Sequence, residues 1–314
     1  MVMKLVKPTP NAGPASPQAR VRDLMDRFGM SQKDLADQTG LSRSVVSQWL
    51  SGKYAHAGEV TPAIDAWVAR KMGDEVLDFV ELRNSRLVFE ACSFAINERR
   101  IAAIVGKPGL GKTVALKEFH RRQVLGGREV LFHHVSPAIT PASLTRMLAS
   151  RFELRKTGTA WDILEGVVHK LRRKPTPMLF DEANHLSVKC LEYVRYIYDV
   201  VRIPVVLCGS MAFRETLSSA ADKKIELEQL QSRIGLNVTL SDLTLRETHK
   251  LMVGKFGGKV APEVAQEFLD GSRGIARDMA EAADKTKLIM AKNGLDAPTV
   301  EAVKTAFELQ FTKA

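Results

Sequence analysis

Residues 106–113 read Gly106-Lys107-Pro108-Gly109-Leu110-Gly111-Lys112-Thr113, and this stretch decides the fold. The apolar run Ile101 to Val105 precedes it, and a run with helical spacing follows from Lys112 to about Val124. The first is the length of a buried strand, the second that of a surface helix. A glycine-rich loop between strand and helix can turn its backbone N–H groups inward, where the helix N-terminus adds partial positive charge. That context separates a phosphate cradle from a chance glycine turn. The spacing Gly-x4-Gly-Lys-Thr predicts that Lys112 reaches the β- and γ-phosphates of a nucleotide and that the Thr113 hydroxyl ligates Mg2+. ATP with Mg2+ is the expected ligand, held along Gly106 to Thr113.

Further on, Met178-Leu179-Phe180 is a strand-sized apolar run ending in Asp181-Glu182. A carboxylate at the carboxyl end of a parallel strand lies beside the phosphate loop in an α/β sheet. Asp181 is therefore expected to hold Mg2+ and Glu182 to polarise the attacking water. Ser210 follows Val205 to Gly209 and reads either as a turn serine or as a hydrogen-bond partner of the γ-phosphate. Arg233 and Arg277 are candidate cations for the γ-phosphate, one of them from a neighbouring subunit. Spacing alone leaves each equally readable as a surface arginine.

Around the loop, strands and helices alternate from 101 to 208, which predicts an α/β layer with a largely parallel sheet. From Thr244 onward the pattern is helical. Upstream, Pro8, Pro10, Pro14 and Pro17 mark residues 1–17 as a flexible tail. Residues 32–51 read QKDLADQTGLSRSVVSQWLS, with Leu35, Ala36, Leu41, Val46 and Trp49 as the apolar set, Gly40 as the turn, and Ser31 and Ser42 as helix caps. This is a helix-turn-helix pattern, and its second helix would show Ser42, Arg43, Ser44, Ser47 and Gln48 to a DNA major groove. A further helix is expected over Ala63 to Met72. The expected organisation is a tail (1–17), a helix-turn-helix domain (18–72), an ATPase core (73–240) and a helical lid (241–314).

Of the 314 residues, Lys and Arg exceed Asp and Glu by 10. Residues 79–240 carry 25 basic against 16 acidic side chains, so nearly all the surplus sits with the phosphate loop. Nucleotide needs few of these cations, and the rest suit a DNA surface. Arg155, Lys156, Arg172, Arg173 and Lys174 are the clusters expected to face double-stranded DNA. No apolar run is long enough to span a membrane, and no secretory leader is evident, so the expected location is the cytoplasm. Cys92, Cys190 and Cys208 lack metal-ligand spacing and read as buried free thiols. The His133-His134 pair reads as structural.

With these residues in place, the chain resembles the AAA+ ATPases, and more narrowly the transposon ATPases of the phage Mu B type. The resemblance rests on GKPGLGKT (106–113), LFDEANHL (179–186), VVLCGS (205–210) and QSRIG (231–235). It implies that Lys112 and Thr113 are Walker A, Asp181 and Glu182 Walker B, Ser210 sensor 1, Arg233 an arginine finger and Arg277 a sensor-2 residue. It also implies a homo-oligomeric filament or ring on DNA, and a transposase as partner. Many relatives carry Asn where this chain has Ser210. A helicase loader with the same core, and a transcriptional regulator with an ATP-switched helix-turn-helix, stand as alternatives. The near-neutral charge of residues 1–78, 10 basic against 9 acidic, argues against tight binding by that part alone.

Overall fold

In the computed structural model, every residue of the apolar run before the glycine-rich loop is buried, and the run forms strand β1 (Ile101–Val105). Described residues are 17–27, 30–76, 79–152, 154, 157–218, 225–258 and 260–311; the expected tail falls almost wholly outside them. Strand β1 belongs to a sheet with β2 (Leu131–His134), β3 (Met178–Asp181), β4 (Val205–Gly209) and β5 (Ile234–Thr239), in the order β2-β3-β4-β1-β5. Every pairing is parallel. Successive β1 side chains enter opposite cores: Ile101, Ala103 and Val105 on one face, Ala102 and Ile104 on the other. Burial on both faces is why β1, β3 and β4 read as continuous apolar runs. Strand β5 is not among the strands expected above. It is an edge strand whose residues alternate half-buried and exposed, so it lacks such a run.

The chain divides into two compact units, residues 1–77 with 120–129 and residues 78–119 with 130–314. In the first, helices α1 (Pro17–Arg27), α2 (Gln32–Thr39), α3 (Arg43–Leu50) and α4 (Ala57–Val76) enclose Leu35, Val46, Trp49, Ile64 and Trp67. Ser31 caps α2 in a reciprocal box with Asp34, and Ser42 caps α3 by accepting from the Val45 N–H. Between them Gly40 adopts φ +72°, the left-handed turn the sequence calls for. Helix α4 starts at Ala57, about one and two-thirds turns before the expected Ala63, with Pro62 inside it. A proline at the first helical position is the usual start signal, and here it lies further in.

In the second unit, α5 (Arg83–Glu98) and the first part of α6 (Lys112–Leu125) cover one face of the sheet. Helices α7 (Pro141–Arg151), α8 (Ala160–Arg173) and α9 (Val188–Val201) cover the other. A single 3-10 turn (Ala183–His185) follows β3, and α10 (Met211–Ser218) and α11 (Ile225–Gln231) lead into β5. Helices α12 (Leu245–Phe256), α13 (Pro262–Ser272), α14 (Ala276–Asn293) and α15 (Val300–Phe311) then pack around Met252, Phe268, Met279 and Val303. Leu82 joins this last core, tying it to the start of α5. Among the described residues no helix is long and apolar enough to cross a membrane. All three cysteines are free and buried, and burial raises the thiol pKa of Cys92 and Cys208.

Candidate functional site

The glycine-rich loop leaves the carboxyl end of β1 and closes on the first turn of α6. Lys112 folds back so that its ammonium donates to the carbonyls of Gly106 at 2.9 Å and Lys107 at 2.8 Å. It is 6% exposed. Burial pulls the ammonium below its usual pKa; Cys208, Glu182 and Asp181 oppose that shift, and the Arg277 charge adds to it. Gly109 has φ +81°, and a Cβ there would lie 2.6 Å from Ile275 Cγ2, so the loop needs glycine for both conformation and space. The Lys107 side chain pairs with Asp242 at 2.6 Å. Its carbonyl, rather than its ammonium, belongs to the cradle.

Asp181, the last residue of β3, is fully buried. Its Oδ2 accepts from the Thr113 hydroxyl at 2.8 Å. His134 Nδ1 lies 2.9 Å from the same oxygen. Its Oδ1 is buried with no hydrogen-bond partner among the described residues. An unpartnered buried carboxylate oxygen is costly unless something of positive character takes it. With the Thr113 hydroxyl beside it, the donor set is oxygen-rich and fits Mg2+. The next residue, Glu182, has φ +54°, a left-handed conformation costing about 1–3 kcal/mol for such a side chain. Strain of this kind persists where the surroundings fix it, and here the surroundings are the site.

Two residues join the site that the sequence reading leaves out. The β2–β3 register sets His134 opposite Asp181, so the second histidine of the pair has a partner after all. Only the first, His133, is buried, stacked on Phe180. Asn184, two residues after Glu182, accepts from the Ser210 backbone N–H through Oδ1 at 3.0 Å. Ser210 thus sits at the carboxyl end of β4 with its main chain fixed by the loop after β3.

The two candidate arginines lie at opposite ends of the sheet. Arg277 is the second residue of α14, and its backbone N–H donates to the Gly109 carbonyl at 3.0 Å. The same chain therefore brings Arg277 onto its own phosphate loop. Arg233 directly precedes β5, whose first residue pairs with Ile101, whereas the loop follows Val105. A five-residue strand separates the two ends by about 16 Å. Arg233 is also engaged locally, its Nε donating to Asp199 Oδ1 at 2.6 Å.

In the first unit, Ser42, Arg43, Ser44, Ser47 and Gln48 are all exposed, on the side of α3 away from Val46, Trp49 and Leu50. The Ser42 hydroxyl is occupied by capping and by Ser44 Oγ at 3.0 Å. Arg172, Arg173 and Lys174 are exposed at the end of α8. Arg155 and Lys156 fall outside the described residues.

Residues 96–217 match the family model of an AAA domain, and residues 21–57 match that of a helix-turn-helix. The chain is 25% identical over 236 residues to the ATP-dependent target DNA activator B of Escherichia phage Mu, covering 71% of this chain and 72% of that protein. It is also 25% identical over 232 residues to the Mu-like prophage FluMu DNA transposition protein B of Haemophilus influenzae, covering 70% and 78%. Among solved structures, the ORC2 protein of Aeropyrum pernix shares the fold at a TM-score of 0.60 and 20% identity, covering 74% of this chain and 69% of that one.

Proposed function

We propose that this chain, an AAA+ protein with an N-terminal helix-turn-helix and a C-terminal helical lid, is an ATPase that assembles on double-stranded DNA and presents it to a transposase. The observation that carries the reading is the Thr113–Asp181 contact beneath the loop, in a chain whose relatives are B-type transposition proteins. In this reading Gly106 to Thr113 and Arg277 hold the nucleotide, with Lys112 trading its two carbonyls for phosphate oxygens. Thr113 and Asp181 hold Mg2+, which offsets phosphate charge when bound. Glu182 orients and polarises the attacking water, and Ser210 lies within reach of it. Arg233, too far from its own loop, serves a neighbouring copy's γ-phosphate, so turnover depends on assembly. The exposed side of α3 and the basic clusters of residues 79–240 supply DNA contacts, chiefly to phosphates. The cytoplasm of a bacterial or phage-infected cell is the setting.

Electron microscopy with duplex DNA of arbitrary sequence, with and without a non-hydrolysable ATP analogue, tests this reading. Nucleotide-dependent filaments are expected. A discrete, sequence-specific footprint without assembly would replace the proposal with a transcriptional regulator, and a preference for single strands with a helicase loader.

A further inference from the structure

Arg233 is held more firmly than an exposed arginine needs to be. Its Nε donates to Asp199 Oδ1 at 2.6 Å, and its Nη1 to the Gln229 carbonyl at 2.6 Å and to Ser232 Oγ at 3.0 Å. Nη2 alone has no partner among the described residues. Asp199 is itself shared: its Oδ2 accepts from Arg195 Nη1 at 2.7 Å. Arg195 in turn is forked onto Glu192, with Nε at 3.0 Å from both carboxylate oxygens and Nη2 at 2.6 Å from one. Glu192, Arg195 and Asp199 recur at helical spacing on α9, so one helix face carries the relay. Their side chains and that of Arg233 are only 20–28% exposed, which limits screening by water and salt.

We propose that Asp199, steadied by the Arg195–Glu192 fork, is a positioning residue that sets the Arg233 guanidinium with Nη2 outward, toward the nucleotide of a second copy of this chain. The proposal rests on the reading of Arg233 as acting on a neighbour. One physical effect supports it. A free arginine loses rotamer freedom when it meets a phosphate, and one already clamped at Nε and Nη1 has less to lose. The relay is electrically balanced, two guanidiniums against two carboxylates, so what it adds is a fixed direction for Nη2 rather than surplus charge.

The test is a double-mutant cycle on ATPase turnover, run on the full chain at saturating DNA with ATP varied up to saturation, with thermal unfolding measured in parallel. Arg233→Ala is expected to lower kcat by about 10³-fold with little change in KM. Asp199→Ala is expected to lower kcat at least tenfold in the wild-type background and to add nothing on Arg233→Ala. Asp199→Asn, which keeps one acceptor oxygen for Nε, should fall between Asp199→Ala and wild type; if Asp199→Ala does not fold, the same cycle with Asp199→Asn decides. An equal loss in both Arg233 backgrounds, or no loss in wild type, would overturn the positioning role while leaving Arg233 intact. If Arg233→Ala itself leaves kcat unchanged, the reading beneath the proposal fails and the proposal with it.

Discussion

At the scale of single residues, the site sets two buried charges, Lys112 and Asp181, among more exposed ones, Glu182, His134 and Arg277. Lys112 sits beside two carboxylates, yet bonds only to main-chain carbonyls, a geometry that keeps its charge available. Lys112→Ala should therefore abolish nucleotide binding, read by fluorescence of a labelled nucleotide, and with it any ATP-dependent DNA assembly. Glu182→Gln should separate binding from turnover: nucleotide stays bound, the assembly on DNA persists, and steady-state hydrolysis falls by about 10²-fold or more. Unchanged hydrolysis in that variant would remove Glu182 as the base. Lys112, Thr113, Asp181 and Glu182 were legible because loop spacing and strand-end position are local signals. His134 and Asn184 were not, because each joins the site by a pairing that only the fold creates: a strand register for one and a loop-to-strand hydrogen bond for the other. Sequence separation hides such pairings, and nothing in the residue types flags them.

At the scale of elements, the helices announce their own ends. Ser31, Ser42, Thr140, Thr159, Ser187 and Thr244 each cap the helix that follows. Ser31 and Ser42 were readable as caps from sequence for that reason. Strand β5 was not, since Gly235 and Asn237 interrupt it and half its side chains face out. The cap of α12 also titrates. Burial opposes ionisation of Glu247, but the backbone N–H and hydroxyl of Thr244, with the Arg83 N–H and charge, outweigh it and hold the carboxyl below its ordinary value of 4.5. A depressed folded-state pKa contributes stability that is complete above the ordinary value and is lost as pH falls through the folded one. Glu247→Gln should thus lower Tm at pH 7, with the gap from wild type closing as the pH is taken below 4.5. A gap independent of pH would show that the carboxylate charge plays no part. Thr244→Ala removes the hydroxyl cap and should cost about 1 kcal/mol.

For the whole molecule, the sheet places a protomer's two candidate arginines at opposite ends, Arg277 over its own loop and Arg233 at the far side. On the reading proposed above, one copy would hold a nucleotide on one end of the sheet and offer a cation from the other, a head-to-tail arrangement that favours rings or open helices. A mixture of Glu182→Gln and Arg233→Ala chains should recover hydrolysis that neither has alone, since each supplies what the other lacks. No recovery on mixing, with both variants folded and binding nucleotide, would place Arg233 outside the neighbour's site.

The order of the strands also bears on how the chain is made. Strand β1 sits between β4 and β5, the two strands synthesised last, so it has no strand partner until Gly209 is made, and its other edge waits for Thr239. Pairings this distant in sequence are slow to close. During that interval the glycine-rich loop has its full sequence but neither flanking strand to hold it open, and Asp181 has no finished floor to stand on. On the reading proposed above, the nascent chain gains no finished nucleotide site until about two thirds of it has been made, and its apolar centre is open to non-native contacts in the meantime.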